Sequence, residues 1–204
     1  MVYLSLLSLN PRSRRAQSEI RDPYQMHRTL SKGFEQSDTM LAQARCLFRV
    51  EEGTSEDVPV IVQACAAPNW DLLLNSGKLL NGPPIVKQVN PVFKTGQVLA
   101  FRLRANPSVA RNGKRTGLYK EEEQLSWLDR KSELSGFRLC SVRLISQGQV
   151  QGRKADMTIA LSAALFDGVL EVQDIGLFKA SWESGIGAGK GFGFGLLSVA
   201  QVAR

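Results

Sequence analysis

Glycine fills every second position of residues 185–195, Gly185-Ile186-Gly187-Ala188-Gly189-Lys190-Gly191-Phe192-Gly193-Phe194-Gly195, and no other stretch limits the possible structures as sharply. Six glycines in eleven residues weaken any helix there and open the positive-φ region to the backbone. Consecutive N–H groups freed in this way can wrap a phosphate chain, and Lys190 adds a point charge in the middle. The plainer alternative is a glycine-rich turn required only for close packing. Leu196-Leu197-Ser198-Val199 then reads as a strand.

Spacing excludes two kinds of phosphate binder. A dinucleotide fingerprint needs G-x-G-x-x-G opening a helix, but counted from Gly185 the last slot holds Lys190, and a strand follows. A Walker loop needs Ser or Thr after Gly189-Lys190, where Gly191 stands. Lys190-Gly191-Phe192-Gly193-Phe194 does match the first five positions of the RNA-binding consensus K/R-G-F/Y-G/A-F-V-x-F/Y, and the match stops at Gly195.

Composition agrees with a polyanionic partner. The formal charge is +7, and 7% aromatic residues leave some rings for base stacking. With 204 residues, 43% of them hydrophobic, the chain can bury one large core or two small ones. Cys46, Cys65 and Cys140 are too few and too scattered for a disulfide framework or a C-x-x-C metal site, and read as buried thiols in a reducing compartment. The apolar opening, residues 1–9, lacks a basic n-region and a small-residue cleavage site and is too short to span a bilayer. It reads as the first strand of a cytoplasmic protein without a membrane partner.

After Asn10-Pro11, the residues Arg12, Arg14 and Arg15 read as a basic loop, either solvated or touching phosphate. Asp22-Pro23 then signals a helix start, with Asp as N-cap, Pro at N1 and Gln25 placed to close a capping box. Met26, Leu30 and Phe34 form its buried stripe. Tyr24, His27, Arg28 and Ser31 share a more exposed face. His27 is the chain's single histidine. Residues 46–50 and 58–64 read as an antiparallel strand pair, 69–74 as a short helix, and 85–89 as a fourth strand. Strand, helix, strand, strand, helix, strand is the ferredoxin-like order.

The expected boundary is residues 90–96, dividing a domain of residues 1–89 from one of 97–204. In 97–105, Leu99, Phe101 and Leu103 point one way and Arg102 and Arg104 the other. Residues 106–117, with Lys114 and Arg115, read as a mobile basic loop. Residues 121–135 read as a helix capped by Gly136, with Leu125 and Leu128 inward. Strands at 137–146 and 155–166 enclose a hairpin tip carrying Gly148, Gly152, Arg153 and Lys154, and Asp167-Gly168 reads as a tight turn. Asp174 caps a last helix ahead of the glycine run. The fold class expected is therefore α+β, two tandem ferredoxin-like (RRM-like) domains with antiparallel sheets and helices on one face.

Asn10-Pro11-Arg12-Ser13-Arg14-Arg15, Asp22-Pro23-Tyr24-Gln25-Met26-His27-Arg28, Phe101-Arg102-Leu103-Arg104-Ala105-Asn106-Pro107 and the glycine run, taken together and in order, resemble the CasE-type CRISPR RNA-processing endoribonucleases, the Cascade-associated branch of the Cas six superfamily. The resemblance implies a glycine loop contacting RNA, metal-independent cutting of the repeat in precursor CRISPR RNA, no cofactor, and a place among other Cascade subunits. The histidine and tyrosine that such families carry early in the first helix match His27 and Tyr24.

Chemistry alone permits the same reaction. RNA carries its own nucleophile, so cleavage needs alignment of a 2'-OH with the adjacent phosphorus, proton transfers and charge stabilisation. His27, with an ordinary pKa of ~6.5, is the expected acid to the departing 5'-oxygen. Tyr24 is expected to position or help deprotonate the 2'-OH, with Lys32 or Arg28 offsetting phosphate charge. A duplex stem is read by shape, phosphates and 2'-hydroxyls. The expected contacts are Arg102, Arg104, Lys114, Arg115, Arg153, Lys154 and the loop residues Gly187, Gly189, Lys190 and Gly191. Two rival readings stay open on the residues alone: a non-catalytic RNA-binding module and a scaffold subunit of a ribonucleoprotein.

Overall fold

The computed structural model describes residues 1–34, 44–111, 113–154 and 157–202. The chain forms two compact units. One comprises Met1–Asn90, Gln151–Ile159 and Gly191–Gly193; the other comprises Pro91–Val150, Ala160–Lys190 and Phe194–Arg204.

In the first unit the strands are β1 (Val2–Leu9), β2 (Leu47–Val50), β3 (Val58–Ala64) and β4 (Ile85–Val89), and the sheet order is β2-β3-β1-β4. All neighbours are antiparallel, with Tyr3 opposite Ala64, Leu47 opposite Gln63 and Leu6 opposite Ile85. The helices are α1 (Arg14–Arg21), α2 (Pro23–Ser31) and the short α3 (Asp71–Leu74), with a 3-10 turn at Lys32–Phe34. Met26, Leu30 and Phe34 are at most 1% exposed, as the stripe requires. Each such side chain contributes ~1.5–3 kcal/mol by burial, against ~1 kcal/mol for a good N-cap. The stripe therefore fixes how α2 lies, and the cap fixes where it begins. Trp70 closes this core: its ring meets Phe34 edge-on at 5.6 Å, its Nε1–H donates to Ser5 Oγ at 3.1 Å, and Gly33 leaves the space its Cζ3 fills.

The second unit repeats the succession. Its strands are β5 (Val98–Ala105), β6 (Ser108–Arg111), β7 (Lys114–Gly117), β8 (Phe137–Lys154) up to Val150, β9 (Met157–Val172) from Ala160, and β10 (Leu197–Gln201). Its helices are α4 (Glu121–Leu134) and α5 (Ile175–Ser184), and a 3-10 turn at Lys190–Phe192 begins at its last residue before the first unit's Gly191–Gly193. The main sheet runs β10-β5-β9-β8, the same order as in the first unit when strands are counted from each unit's start. Leu99, Phe101 and Leu103 of β5 are buried, as are Trp127 and Leu128 of α4. Phe93, Phe137, Phe178 and Trp182 form an edge-on ring cluster, with Phe93 and Phe178 centroids 4.8 Å apart. Both units are ferredoxin-like, as expected.

Several local expectations give way to the structure. Arg14 and Arg15 lie in helix α1, capped by Ser13, whose side chain accepts from the Ala16 N–H. The Arg15 Nε–H donates to Glu19 at 2.9 Å and Thr29 Oγ1 donates to the same oxygen at 3.0 Å, which lets a helix with few apolar residues dock. Ser108–Arg111 and Lys114–Gly117 pair as the strands β6 and β7, with Ala110 opposite Arg115, rather than forming a loop. Asp167-Gly168 sits inside β9, facing Arg102 and Phe101. A Cβ on Gly168 would collide with the Ser141 carbonyl and approach the Phe101 ring to 2.8 Å, so this glycine marks close strand packing. Gly148 and Gly152 likewise lie within β8. Cys140 is exposed, and Leu125 is only half-buried. No described helix is long and apolar enough to cross a membrane.

Candidate active site and nucleic-acid interface

Asp22 joins two helices and so sets the direction of α2. Its N–H closes α1 on the Ser18 carbonyl at 3.0 Å, and its Oδ1 opens α2 by accepting from the N–H groups of Tyr24 at 3.1 Å and Gln25 at 3.4 Å. That N–H is therefore already used, and the second bond of the expected capping box does not form; Gln25 Oε1 accepts from Arg28 Nη1 at 3.4 Å instead. With Pro23 at N1 and the apolar stripe turned inward, Tyr24 and His27 fall on the opposite side, half-buried, while Arg28 and Lys32 are exposed.

Within the same unit, Gly191–Gly193 lies against that side of α2. A Cβ on Gly191 would stand 3.8 Å from the imidazole Cγ of His27, an ordinary contact distance. Phe192 meets Tyr24 with ring centroids 5.7 Å apart, and Phe48 of β2 meets His27 at 6.2 Å. Two further glycines permit this. Gly193, at φ 77°, leaves room for the Phe48 ring 3.1 Å from where its Cβ would be, and Gly152 does so for Phe192 at 2.6 Å. Burial lowers the His27 pKa from its ordinary 6.5, since the charged imidazolium loses hydration. A neutral ring half-open to solvent beside an exposed guanidinium and an exposed ammonium is suited to exchanging a proton with a bound anion.

Of the remaining candidates, Arg102, Arg104, Lys114, Arg115, Gly187, Gly189 and Lys190 lie in the second unit, and Arg153 and Lys154 in the Gln151–Ile159 segment of the first. Arg102 and Arg104 share one face of β5. Arg102 makes a two-pronged ion pair with Asp167, at 2.7 and 2.6 Å, and the Arg104 guanidinium lies 5.5 Å from the centre of the Phe194 ring. Arg102, Asp167, Ser141, Arg143 and Ser198 help line a 510 Å³ cleft on the open face of this sheet. Lys114 and Arg115 are exposed on β7, and Arg115 Nη1 donates to Ser108 Oγ at 3.2 Å. Gly187 and Gly189 have φ near 80° and pack on Trp127 and on Phe194 with Asn106, and half-buried Lys190 begins the 3-10 turn. The side chains of Arg153 and Lys154, at the end of β8, lie outside the described residues. Among the described residues no group of three His, Cys, Asp or Glu side chains is arranged to hold a metal ion.

Sequence reasoning passed over Phe48, Phe192, Gly152 and Asp167. Phe192 was visible only as part of an RNA-binding consensus, yet its ring packs on Tyr24. Gly152 looked like a turn residue. Nothing local marks Phe48, whose importance comes from strand order.

Comparison with known proteins bears on all of this. Residues 2–201 match the family model described as CRISPR associated protein. The chain is 38% identical over 214 residues to the CRISPR-associated endoribonuclease Cse3 of Thermus thermophilus, covering 98% of this chain and 100% of that protein. It is 31% identical to the CRISPR system Cascade subunit CasE of Escherichia coli, over 89% of this chain and 94% of the relative. A structure of Thermus thermophilus Cse3 bound to an RNA representing a pre-cleavage complex superimposes with a TM-score of 0.86 at 37% identity, covering 98% of each chain.

Proposed function

This chain belongs to the CasE-type family of CRISPR-associated endoribonucleases, and we propose that it binds the repeat stem-loop of precursor CRISPR RNA and cuts it by attack of the RNA's own 2'-hydroxyl. The observation that carries the reading is the pairing of Tyr24 and His27 on one open side of α2, with Phe192 against the phenol and Gly191 against the imidazole. In the step proposed, the 2'-oxygen forms a bond to phosphorus while the bond from phosphorus to the 5'-oxygen breaks. His27 gives its proton to the departing 5'-oxygen, and Tyr24 orients the 2'-OH or helps take its proton. Arg28 or Lys32 offsets the charge that builds on the phosphoryl oxygens. The products are a 2',3'-cyclic phosphate and a 5'-OH, and no metal takes part.

A free His27 with a lowered pKa is mostly neutral at neutral pH, which at first sight disfavours an acid. The approaching phosphodiester reverses this, because a nearby negative charge favours the imidazolium. Substrate binding thus loads the proton where it is used.

Lys114, Arg115, Arg153, Lys154 and the glycine loop are assigned to the stem, through phosphates and 2'-hydroxyls. Arg102 and Arg104 act from β5, and the Asp167 pair holds the Arg102 fork in place. The product stem-loop stays bound, and the protein takes its place with other subunits of a Cascade surveillance complex in the cytoplasm. Incubating the protein with a repeat hairpin in EDTA tests the proposal. Discrete products ending in a 2',3'-cyclic phosphate are expected; a hairpin bound but left whole, or ends that appear only when divalent metal is added, would overturn it.

A further inference from the structure

Base stacking needs a ring that solvent can reach, and this chain has few. Its nine phenylalanines, three tryptophans and three tyrosines all lie among the described residues. Every Phe and Trp is buried, Tyr3 and Tyr24 are half-buried, and Tyr119 alone is exposed, at 49%. A lone exposed apolar group is ordinary on any surface, so exposure by itself decides nothing.

What sets Tyr119 apart is how firmly it is held. Gly117, the last residue of β7, supplies the space beside it: a Cβ there would stand 3.1 Å from the Tyr119 hydroxyl and 3.3 Å from Cε2. Gln149 Nε2 on β8 donates to the same hydroxyl at 3.3 Å. The backbone just before the ring is fastened three times over. The Leu118 N–H donates to the Pro107 carbonyl at 2.9 Å, and the Leu118 carbonyl accepts from Gln124 Nε2 at 3.0 Å and Ser162 Oγ at 2.5 Å. A ring anchored in this way has little conformational freedom left to lose when something stacks on it.

The charges nearby indicate what that something is. Lys120 is the next residue, and Lys114 and Arg115 stand on the strand that leads into it, all exposed. Exposed Glu121, Glu122 and Glu123 follow at once. These acids disfavour a phosphate beside the ring, while the hairpin cations favour phosphates further along, so a nucleic acid strand crossing here presents a base to Tyr119. We infer that Tyr119 is a stacking platform for an unpaired nucleobase of the bound RNA. This rests on the RNA-processing reading above and adds to it a contact that phosphate-binding cations do not provide.

The test uses repeat hairpins carrying 2-aminopurine at each unpaired position in turn, titrated with the full-length protein and with Tyr119→Ala, Tyr119→Leu, Tyr119→Phe and Tyr119→Trp. At one position the wild-type protein and the Phe and Trp variants quench the fluorophore, and the Ala and Leu variants do not. Kd rises about 5- to 100-fold for Ala and Leu and stays within about threefold for Phe and Trp. The cleavage rate of pre-bound RNA is unchanged throughout. The Leu variant keeps the bulk of the side chain, so failure of the Ala variant to fold does not protect the inference. Equal quenching by the wild-type and Leu proteins at every position overturns the platform while leaving RNA binding intact, whereas a wild-type protein that does not bind the hairpin overturns the RNA-processing reading itself. A Leu variant that binds RNA normally yet no longer co-purifies with the other complex subunits assigns the ring to a protein interface, and the inference falls.

Discussion

In the first unit the helix that carries the candidate site, α2, runs Pro23-Tyr24-Gln25-Met26-His27-Arg28 after its N-cap Asp22, with no acid in its first turn. In the second unit α4, which like α2 precedes one edge strand and one inner strand of its sheet, begins with Glu121, Glu122 and Glu123. Inward, the two helices do the same work: Met26 and Leu30 on one, Trp127 and Leu128 on the other, are buried to within 3%. Outward, they differ in sign. The acids of α4 complement the positive end of its helix dipole and repel phosphate. At α2 the N-cap Asp22 uses its Oδ1 for the Tyr24 and Gln25 N–H groups, and the turn that follows presents a phenol and an imidazole, with Arg28 and Lys32 further along. The inward face thus makes the fold and can be repeated; the outward face makes the chemistry and occurs once.

Breaking the difference at its centre gives the largest effect. Replacing His27 by Ala should slow single-turnover cleavage by roughly 10²-fold or more while hairpin Kd, read by filter binding, moves less than about threefold. Cleavage retained in that variant would take the imidazole out of the reaction and erase the contrast with α4.

The glycine run gives a second way to sharpen the comparison, since Gly191–Gly193 belongs to the unit of α2. Gly193→Ala places a Cβ at φ 77° and 3.1 Å from Phe48, and should cost ~1–2 kcal/mol of stability by chemical denaturation. Gly191→Ala meets only the His27 ring at 3.8 Å and should cost no more than about 0.5 kcal/mol. Equal losses would mean that the run is not seated against α2 as described.

Smaller effects belong to the second unit, whose proposed role is holding RNA. Changing Lys114 and Arg115 together to Ala should weaken hairpin binding and flatten the dependence of log Kd on log salt by about 1.5, from two phosphate contacts at ~0.7–0.9 each. The cleavage rate of bound RNA should not move. A pH profile tests the proton itself. As an acid, His27 must be charged, so rate falls as pH rises through its pKa. Burial lowers that pKa from 6.5 in the free protein, so the falling limb of kcat/KM should lie below 6.5, and the limb of kcat, read with phosphate bound, should lie higher. Rates that climb with pH across the same range would assign His27 to the base role.

Signals confined to a few neighbouring residues were legible in the sequence. Asp22-Pro23 named the start of α2, Met26, Leu30 and Phe34 named its inner side, and Asp174 capped α5 by accepting from the Leu177 N–H at 2.8 Å. The succession of strands and helices then gave the sheet order twice. What could not be read locally was decided by distant partners. Helix α1 has few apolar residues, and a buried Glu19 held by Arg15 and Thr29 stabilises it across ten positions of sequence. Asp167-Gly168 carries a strong turn signal, but β5 runs alongside and Arg102 engages the aspartate, so the strand continues. The β6–β7 hairpin lacks an alternating apolar pattern because its outer positions are solvent-facing cations. For the candidate site, Tyr24 and His27 were visible as one face of a helix, whereas the rings of Phe48 and Phe192 that flank them come from elements far away in the chain.

The proposed reaction requires the RNA to supply its own nucleophile, and a single substitution in the substrate addresses that directly. A repeat hairpin with a 2'-deoxy sugar immediately 5' of the scissile phosphate should bind the wild-type protein with Kd within about twofold of the all-ribose hairpin and remain uncut through many half-lives of the normal reaction. Cleavage of the deoxy hairpin at the same phosphate would show that water or another group attacks instead, and the assignment of Tyr24 and His27 to a 2'-hydroxyl reaction would be wrong.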